Sequence, residues 1–211
     1  MRKHKHTKAY AISRSRRSFL LTAILLVAAV IVGLDRSPLR HKWRPRPEDS
    51  QKYHAQAARV VKVVDGDTLD IDIPDANYRS TRIRLWGIDT PETKSPVYGV
   101  MYFGPEASQF AKHTALDQTV IIYLDPDNKT RDKYGRLLAY VKLPDGRILN
   151  ELLLSEGFAY ADLRFRHSSF NRYSQLEAAA RAQKKGLWKE VTREQLPQWL
   201  QREKPNLLSR N

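Results

Sequence analysis

The sequence predicts an α+β, mainly β domain: a small closed five-stranded barrel capped by helices, behind an apolar amino-terminal segment. Three observations predict it. Five short β-type runs lie between Arg59 and Leu143, helical patterns sit between and after them, and one charge-free apolar stretch of 17 residues, 18–34, precedes them all. Short strands with helices set between and after them suit a helix-capped barrel, the OB type among the choices. At 211 residues the chain has room for one ordinary domain plus appendages.

Residues 1–17 form a basic segment with 7 Lys+Arg, and "SFLLTAILLVAAVIVGL" (18–34) follows. That stretch is long enough for a transmembrane or signal-anchor helix and has no polar face that would suit a core helix. No A-x-A site follows it, so an uncleaved anchor is expected; "SRRSFLL" (15–21) also resembles a twin-arginine export signal. Residues 35–57, proline-punctuated and polar, read as a linker.

In "RVVKVVDGDTLDIDI" (59–73), Asp65-Gly66 separates two β-branched runs, a hairpin signal. Leu69, Ile71 and Ile73 alternate with Asp70 and Asp72, so one apolar and one wet face are expected. "TRIRLWGI" (81–88) is the third strand, with Asp89 at its end; "TVIIYL" (119–124) and "RLLAYVKL" (136–143) are the last two. Helices are predicted over 104–117, with Pro105 in the first turn, over 148–157 and over 174–188, the latter two stopping at glycine. The domain is expected over 58–190. The tail 191–211 has an amphipathic turn around Leu196, Trp199 and Leu200, for which packing is the simplest role.

Composition narrows the chemistry. The absence of Cys excludes disulfides, thiolate zinc sites and cysteine nucleophiles. The six histidines (4, 6, 41, 54, 113, 167) form no metal-ligand pair in the body, which removes zinc hydrolases; His113 is expected to be a surface or half-buried residue and not a ligand. Of the net charge of +14, residues 1–50 carry +9 (12 Lys+Arg against 3 acids) and the other 161 carry +5 (25 against 20). A mildly basic body is compatible with a polyanionic partner without demanding one.

"LWGIDTPETK" (85–94) ends an apolar run on two acids around a proline. If the first three strands are neighbours, Asp67 and Asp89 reach one end of the sheet and form a hard-oxygen site suited to Ca²⁺ or Mg²⁺. Pro91 holds Thr90 extended and aims Glu92 differently from Asp89. Arg84, on the strand face of Arg82, and Arg136 are candidates for phosphate. A cation site, a spare carboxylate and arginine forks are the parts needed to hydrolyse a phosphodiester.

The blocks "VVDGDTLDI", "RLWGIDTPETK", "GPEASQFAK", "TRDKYGRLLAYV", "LNELLLSEGFA" and "EAAARAQKKGLW" resemble, in order and spacing, the staphylococcal nuclease (thermonuclease) family from Val60 to Trp188. The resemblance implies an OB-type five-stranded barrel with three helices and a calcium-dependent nuclease acting on DNA and RNA. It makes Asp67 and Asp89 ligands of Ca²⁺ through their carboxylates and Thr90 through its backbone oxygen. Glu92 becomes the general base, Arg84 and Arg136 hold the scissile phosphate, and Lys133 and Tyr134 lie beside a nucleotide phosphate. The implied product carries a 3′-phosphate and a free 5′-hydroxyl. Where the family's type member has two nucleotide-contacting tyrosines, this chain has Leu163 and Phe165; only Phe165 can stack on a base.

Two other readings stay open. "ETK" after an aspartate fits the loose D…E-x-K pattern of Mg²⁺-dependent restriction-type nucleases, with Lys94 beside the water, but leaves "DKYGR" without a role. A barrel that only binds nucleic acid is the other, although Asp67, Arg84, Asp89, Glu92 and Arg136 are all retained. The anchor implies a nuclease domain outside the cytoplasm. No protein partner is inferred, and a monomeric domain is expected.

Overall fold

The computed structural model describes residues 45–94 and 99–208. The apolar segment 18–34 and the first part of the linker lie outside the described residues, and among those described no helix is long and apolar enough to cross a membrane.

The chain runs α1 (Pro47–Tyr53), β1 (Gln56–Asp65), β2 (Thr68–Ile71), β3 (Thr81–Leu85), β4 (Ile88–Asp89), α2 (Gly104–Ala115), β5 (Thr119–Tyr123) and β6 (Leu137–Lys142). It continues through α3 (Leu149–Ser155), β7 (Tyr160–Ala161), α4 (Phe170–Ala182), 3₁₀ turns at Gly186–Lys189 and Arg193–Gln195, and α5 (Gln198–Glu203). Five strands close a barrel in the order β1-β2-β3-β6-β5. All the pairings are antiparallel except β3 with β6, which is parallel. The ten-residue β1 closes the barrel by serving two neighbours. Gln56–Arg59 pair with β5, and Val60–Asp65 pair with β2, with register shifts between Val60 and Lys62 and between Val63 and Asp65. Such irregularities bend a strand and raise its twist, which closure requires. Val60, Leu69, Ile71, Ile83, Leu85, Val120, Ile122, Leu137, Ala139 and Val141 fill the interior. Helices α2, α3 and α4 correspond to the three expected.

Several elements differ from expectation for physical reasons. The third strand ends at Leu85, not Ile88. Gly87 turns the chain out of the barrel at φ 78°, and Ile88–Asp89 form a separate ribbon with β7. Asp70 is buried rather than wet, because Arg82, its register partner on β3, covers it with two hydrogen bonds of 2.8 and 3.0 Å. Helix α4 starts at Phe170 and stops at Ala182, ahead of Gly186. The end of the expected linker is folded. Tyr53 is fully buried with its hydroxyl 3.0 Å from Thr81, and Asp49 accepts three hydrogen bonds from Arg131 and one from Thr130.

Candidate active site

The β1–β2 turn, the end of β3 and the loop after β4 meet at one rim of the barrel. Asp67 closes the turn that begins at Asp65-Gly66, and its backbone carbonyl accepts the N–H of Leu85 at 2.8 Å. Asn150, fully buried on α3, donates to the carbonyls of Trp86 (3.0 Å) and Ala139 (3.2 Å), which fixes where the chain leaves β3. The β4–β7 ribbon then carries Asp89 back to the rim.

There Arg84 stands between the two aspartates, its Nη1 2.8 Å from Asp67 Oδ2 and its Nη2 2.6 Å from Asp89 Oδ1. Thr90 donates its backbone N–H to Asp67 at 3.0 Å, and Thr93 donates to Asp65 at 3.4 Å, so both acids of the turn hold the loop that carries Glu92. The Glu92 carboxylate lies at the mouth and accepts no hydrogen bond among the described residues.

These groups line an open cleft of about 640 Å³ that also takes in Lys133, Tyr134, Arg136, Asp162, Arg164 and Phe165. Eight of the nine expected site residues therefore face one space. The ninth, Thr90, adjoins it through its hydrogen bond to Asp67. Arg136 is held by Asp132, whose Oδ2 accepts from Nε at 2.7 Å. Tyr134 is 72% exposed at the rim, with Lys133 Nζ 4.9 Å and the Arg136 guanidinium 5.4 Å from its ring centroid. Phe165 stacks on Trp86 with centroids 6.0 Å apart, while Leu163 packs into the core. Arg82 pairs with Asp70 and does not line this cleft, and His113 is exposed.

The residues that sequence reasoning missed come from late in the chain. Arg164 holds Asp162 with two hydrogen bonds of 2.8 Å and reaches Asp89 at 3.4 Å. Trp199 on α5 donates its indole N–H to Asp89 Oδ2 at 2.7 Å. An Asp-x-Arg pair just after a strand was the available signal for the first; no local signal marked the second.

Electrostatics set the character of the inner end. Burial pushes the Asp89 carboxyl up to about 6 despite Arg84, with Asp67 and Asp162 adding to the rise. Burial and the charges of Asp67, Asp65 and Asp89 push Glu92 up to about 7. Burial would lower the Arg84 guanidinium, but Asp67 and Asp89 outweigh it and raise its pKa. Protons are thus held more tightly where acids crowd, the condition under which a divalent cation is welcome. The donors are hard oxygens, so the residues present fit Ca²⁺ or Mg²⁺. Among the described residues no three acidic or histidine groups already stand at metal-ligand spacing, because Arg84 is interposed.

Residues 82–190 match the model of the staphylococcal nuclease homologue family. A thermonuclease of Staphylococcus hyicus is 33% identical over 170 residues, covering 80% of this chain and 97% of that protein. A thermonuclease of Staphylococcus intermedius is 37% identical over 142 residues, 67% of this chain and 80% of its own length. A protein of Escherichia coli described as an uncharacterized endonuclease is 34% identical over 145 residues, 68% and 83%. Helix-capped barrel, rim cleft and sequence similarity agree, and the chain belongs to the staphylococcal nuclease family.

Proposed function

We propose that the chain is a calcium-dependent nuclease that hydrolyses phosphodiester bonds of DNA and RNA and leaves a 3′-phosphate and a free 5′-hydroxyl. The observation that carries the reading is the single cleft onto which Arg84, Arg136, Glu92 and the Asp67–Asp89 pair all open. Asp67, Asp89 and the Thr90 carbonyl would hold Ca²⁺, which, when bound, supplies a Lewis acid for the phosphate oxygens. Arg84 and Arg136 bind those oxygens and oppose the charge that builds on them during attack.

Glu92 takes the proton from the attacking water. A carboxyl raised to about 7 by burial is matched to that task near neutral pH, and no described neighbour competes for it. Lys133 and Tyr134 receive a flanking phosphate, and Phe165, backed by Trp86, offers a face to a base. The apolar segment 18–34 anchors the chain with this domain outside the cytoplasm, away from the cell's own chromosome. Protease added to intact cells should then remove the domain, and full protection would refute the export reading.

The decisive experiment gives the purified full-length chain plasmid DNA and RNA with Ca²⁺, with Mg²⁺ or with chelator. Cleavage in Ca²⁺ that chelator abolishes supports the reading. Cleavage in Mg²⁺ alone favours a D…E-x-K type nuclease, and binding without cleavage under any metal leaves a nucleic-acid-binding barrel.

A further inference from the structure

The carboxyl-terminal helix α5 reaches the rim of the cleft, although it follows the residues that match the family model, which end at 190. Its Trp199 indole N–H bonds Asp89 Oδ2 at 2.7 Å, and Trp199 is itself only 8% exposed. The guanidinium of Arg164 lies over the same indole, 4.4 Å from its centroid. It is also paired with Asp162 and within 3.4 Å of Asp89 Oδ2. Asp89 is therefore gripped on both oxygens, by Arg84 on one and by Trp199 with Arg164 on the other.

Trp199 cannot drift, because α5 is fastened at both ends. Trp199 and Leu200 bury among Tyr160, Leu187, Trp188 and Leu196. At the other end Lys204 Nζ sits 3.3 Å from the fully buried Glu177, which accepts the N–H of Ala161 on β7. One end of α5 thus holds β4 and the other, through Glu177, holds β7.

We infer that Trp199 is a positioning residue for the nuclease site: its indole N–H fixes the Asp89 carboxylate in the orientation that receives Ca²⁺. A hydrogen bond to a ligand's second oxygen sets which lone pairs face the metal, and losing such a partner weakens metal binding by about 10–100-fold. This rests on Asp89 being a metal ligand, as proposed above.

A matched control exists within the same small core. Trp188 is buried and its Nε1 bonds nothing among the described residues, so Trp188→Phe and Trp199→Phe remove the same group with and without a bond to Asp89. The test titrates the full-length chain and both variants with Ca²⁺ by calorimetry, alongside Tm and the kcat–KM split. Trp199→Phe should raise the Ca²⁺ Kd by about 10-fold or more and lower kcat at subsaturating Ca²⁺, with partial recovery at saturating Ca²⁺. Trp188→Phe should stay within about twofold of wild type on both measures.

Equal affinities in all three proteins would overturn the positioning role while leaving the metal site intact. Equal weakening in both variants would also overturn it, in favour of packing alone. A wild-type chain that binds no Ca²⁺ would refute the metal reading and this inference together. Should Trp199→Phe fail to fold, the indole N–H resonances of the wild-type chain, assigned by substituting the other tryptophans one at a time, serve instead. The Trp199 signal must shift on adding Ca²⁺, and an unmoved signal in a chain that binds Ca²⁺ overturns the inference.

Discussion

Asp132 and Arg136 form a closed unit at the outer edge of the cleft: Asp132 Oδ2 accepts from the Arg136 guanidinium at 2.7 Å while Oδ1 accepts the backbone N–H of Arg136 at 3.0 Å. The same Oδ1 accepts the N–H of Tyr134 at 2.9 Å. One carboxylate therefore shapes the turn carrying Lys133 and Tyr134 and aims the arginine assigned to the phosphate. Asp132→Ala should lower kcat/KM by about tenfold, roughly 1.4 kcal/mol, mostly in KM, because the arginine survives but is no longer held in register. Steady-state cleavage of a short fluorescent oligonucleotide checks this. Arg136→Ala should cost at least about 100-fold, since the charge itself is gone, and Glu92→Gln, which removes the base, a similar factor with the fold intact.

Arg84 carries a second prediction because it neutralises two carboxylates at once. Its side chain is 13% exposed, and removing it leaves Asp67 with the Thr90 N–H and Thr68 hydroxyl and Asp89 with Trp199 and Arg164, none of which replaces the lost charge between them. Arg84→Ala in chelator should lose about 3 kcal/mol of stability, the usual cost of stranding a buried charge. Ca²⁺ should stabilise wild type by about 2.7 kcal/mol at 100 times its Kd, and the variant by at least as much, since a competitor for the carboxylates has been removed. Urea denaturation with and without Ca²⁺ measures both. A variant that Ca²⁺ does not stabilise would show that Arg84, rather than a metal, is the resident cation.

What the sequence made legible follows chain distance. Asp65-Gly66-Asp67 and Asp89-Thr90-Pro91-Glu92 are local turns whose residue types announce their geometry, and each lands at the rim. Arg164 reaches Asp89 because β4 pairs with β7, two strands of two residues each, too short to carry a periodic signal, and Trp199 because α5 packs beside Tyr160 and Trp188. The Trp199 bond spans 110 positions and the Arg164 bond 75. The misread linker has the same cause. "PRPEDSQKY" is polar in composition, and Asp49 is buried only because Arg131 meets it from 82 residues away.

That pair yields a third prediction. Arg131 is clamped by Asp49 at 2.7 Å and by Asp75, and α1 also delivers the buried Tyr53. Asp49→Ala should cost about 3 kcal/mol by breaking a largely buried pair, without changing kcat, because α1 contributes nothing to the cleft. Chemical denaturation with parallel kinetics separates the two effects. A chain truncated to begin at residue 58 should lose Asp49 and Tyr53 together and melt well below one that begins at 45.

The last prediction concerns acid. His167 lies behind the turn that releases the chain from β3; a side chain on Gly87, held at φ 78°, would run into its ring. Its Nδ1 is 3.0 Å from the Tyr140 hydroxyl, which donates to Asp125 at 2.7 Å, so the histidine supplies the Nδ1 proton and remains neutral. Burial lowers its pKa to about 4, with Asp125 and Asp162 opposing the shift. The unfolded chain therefore binds a proton near pH 6.5 that the folded chain refuses until about 4. Stability from this group is complete above pH 6.5 and drains as pH falls toward 4, by about 2 kcal/mol between pH 7 and 5. His167→Gln should lower stability at pH 7 but flatten the curve over that interval, as urea midpoints at several pH values would show. Gly87→Ala should destabilise by about 2 kcal/mol or more at every pH, since the positive φ and the imidazole both resist a Cβ. A wild-type curve as flat as that of His167→Gln would mean that the folded site already accommodates the imidazolium.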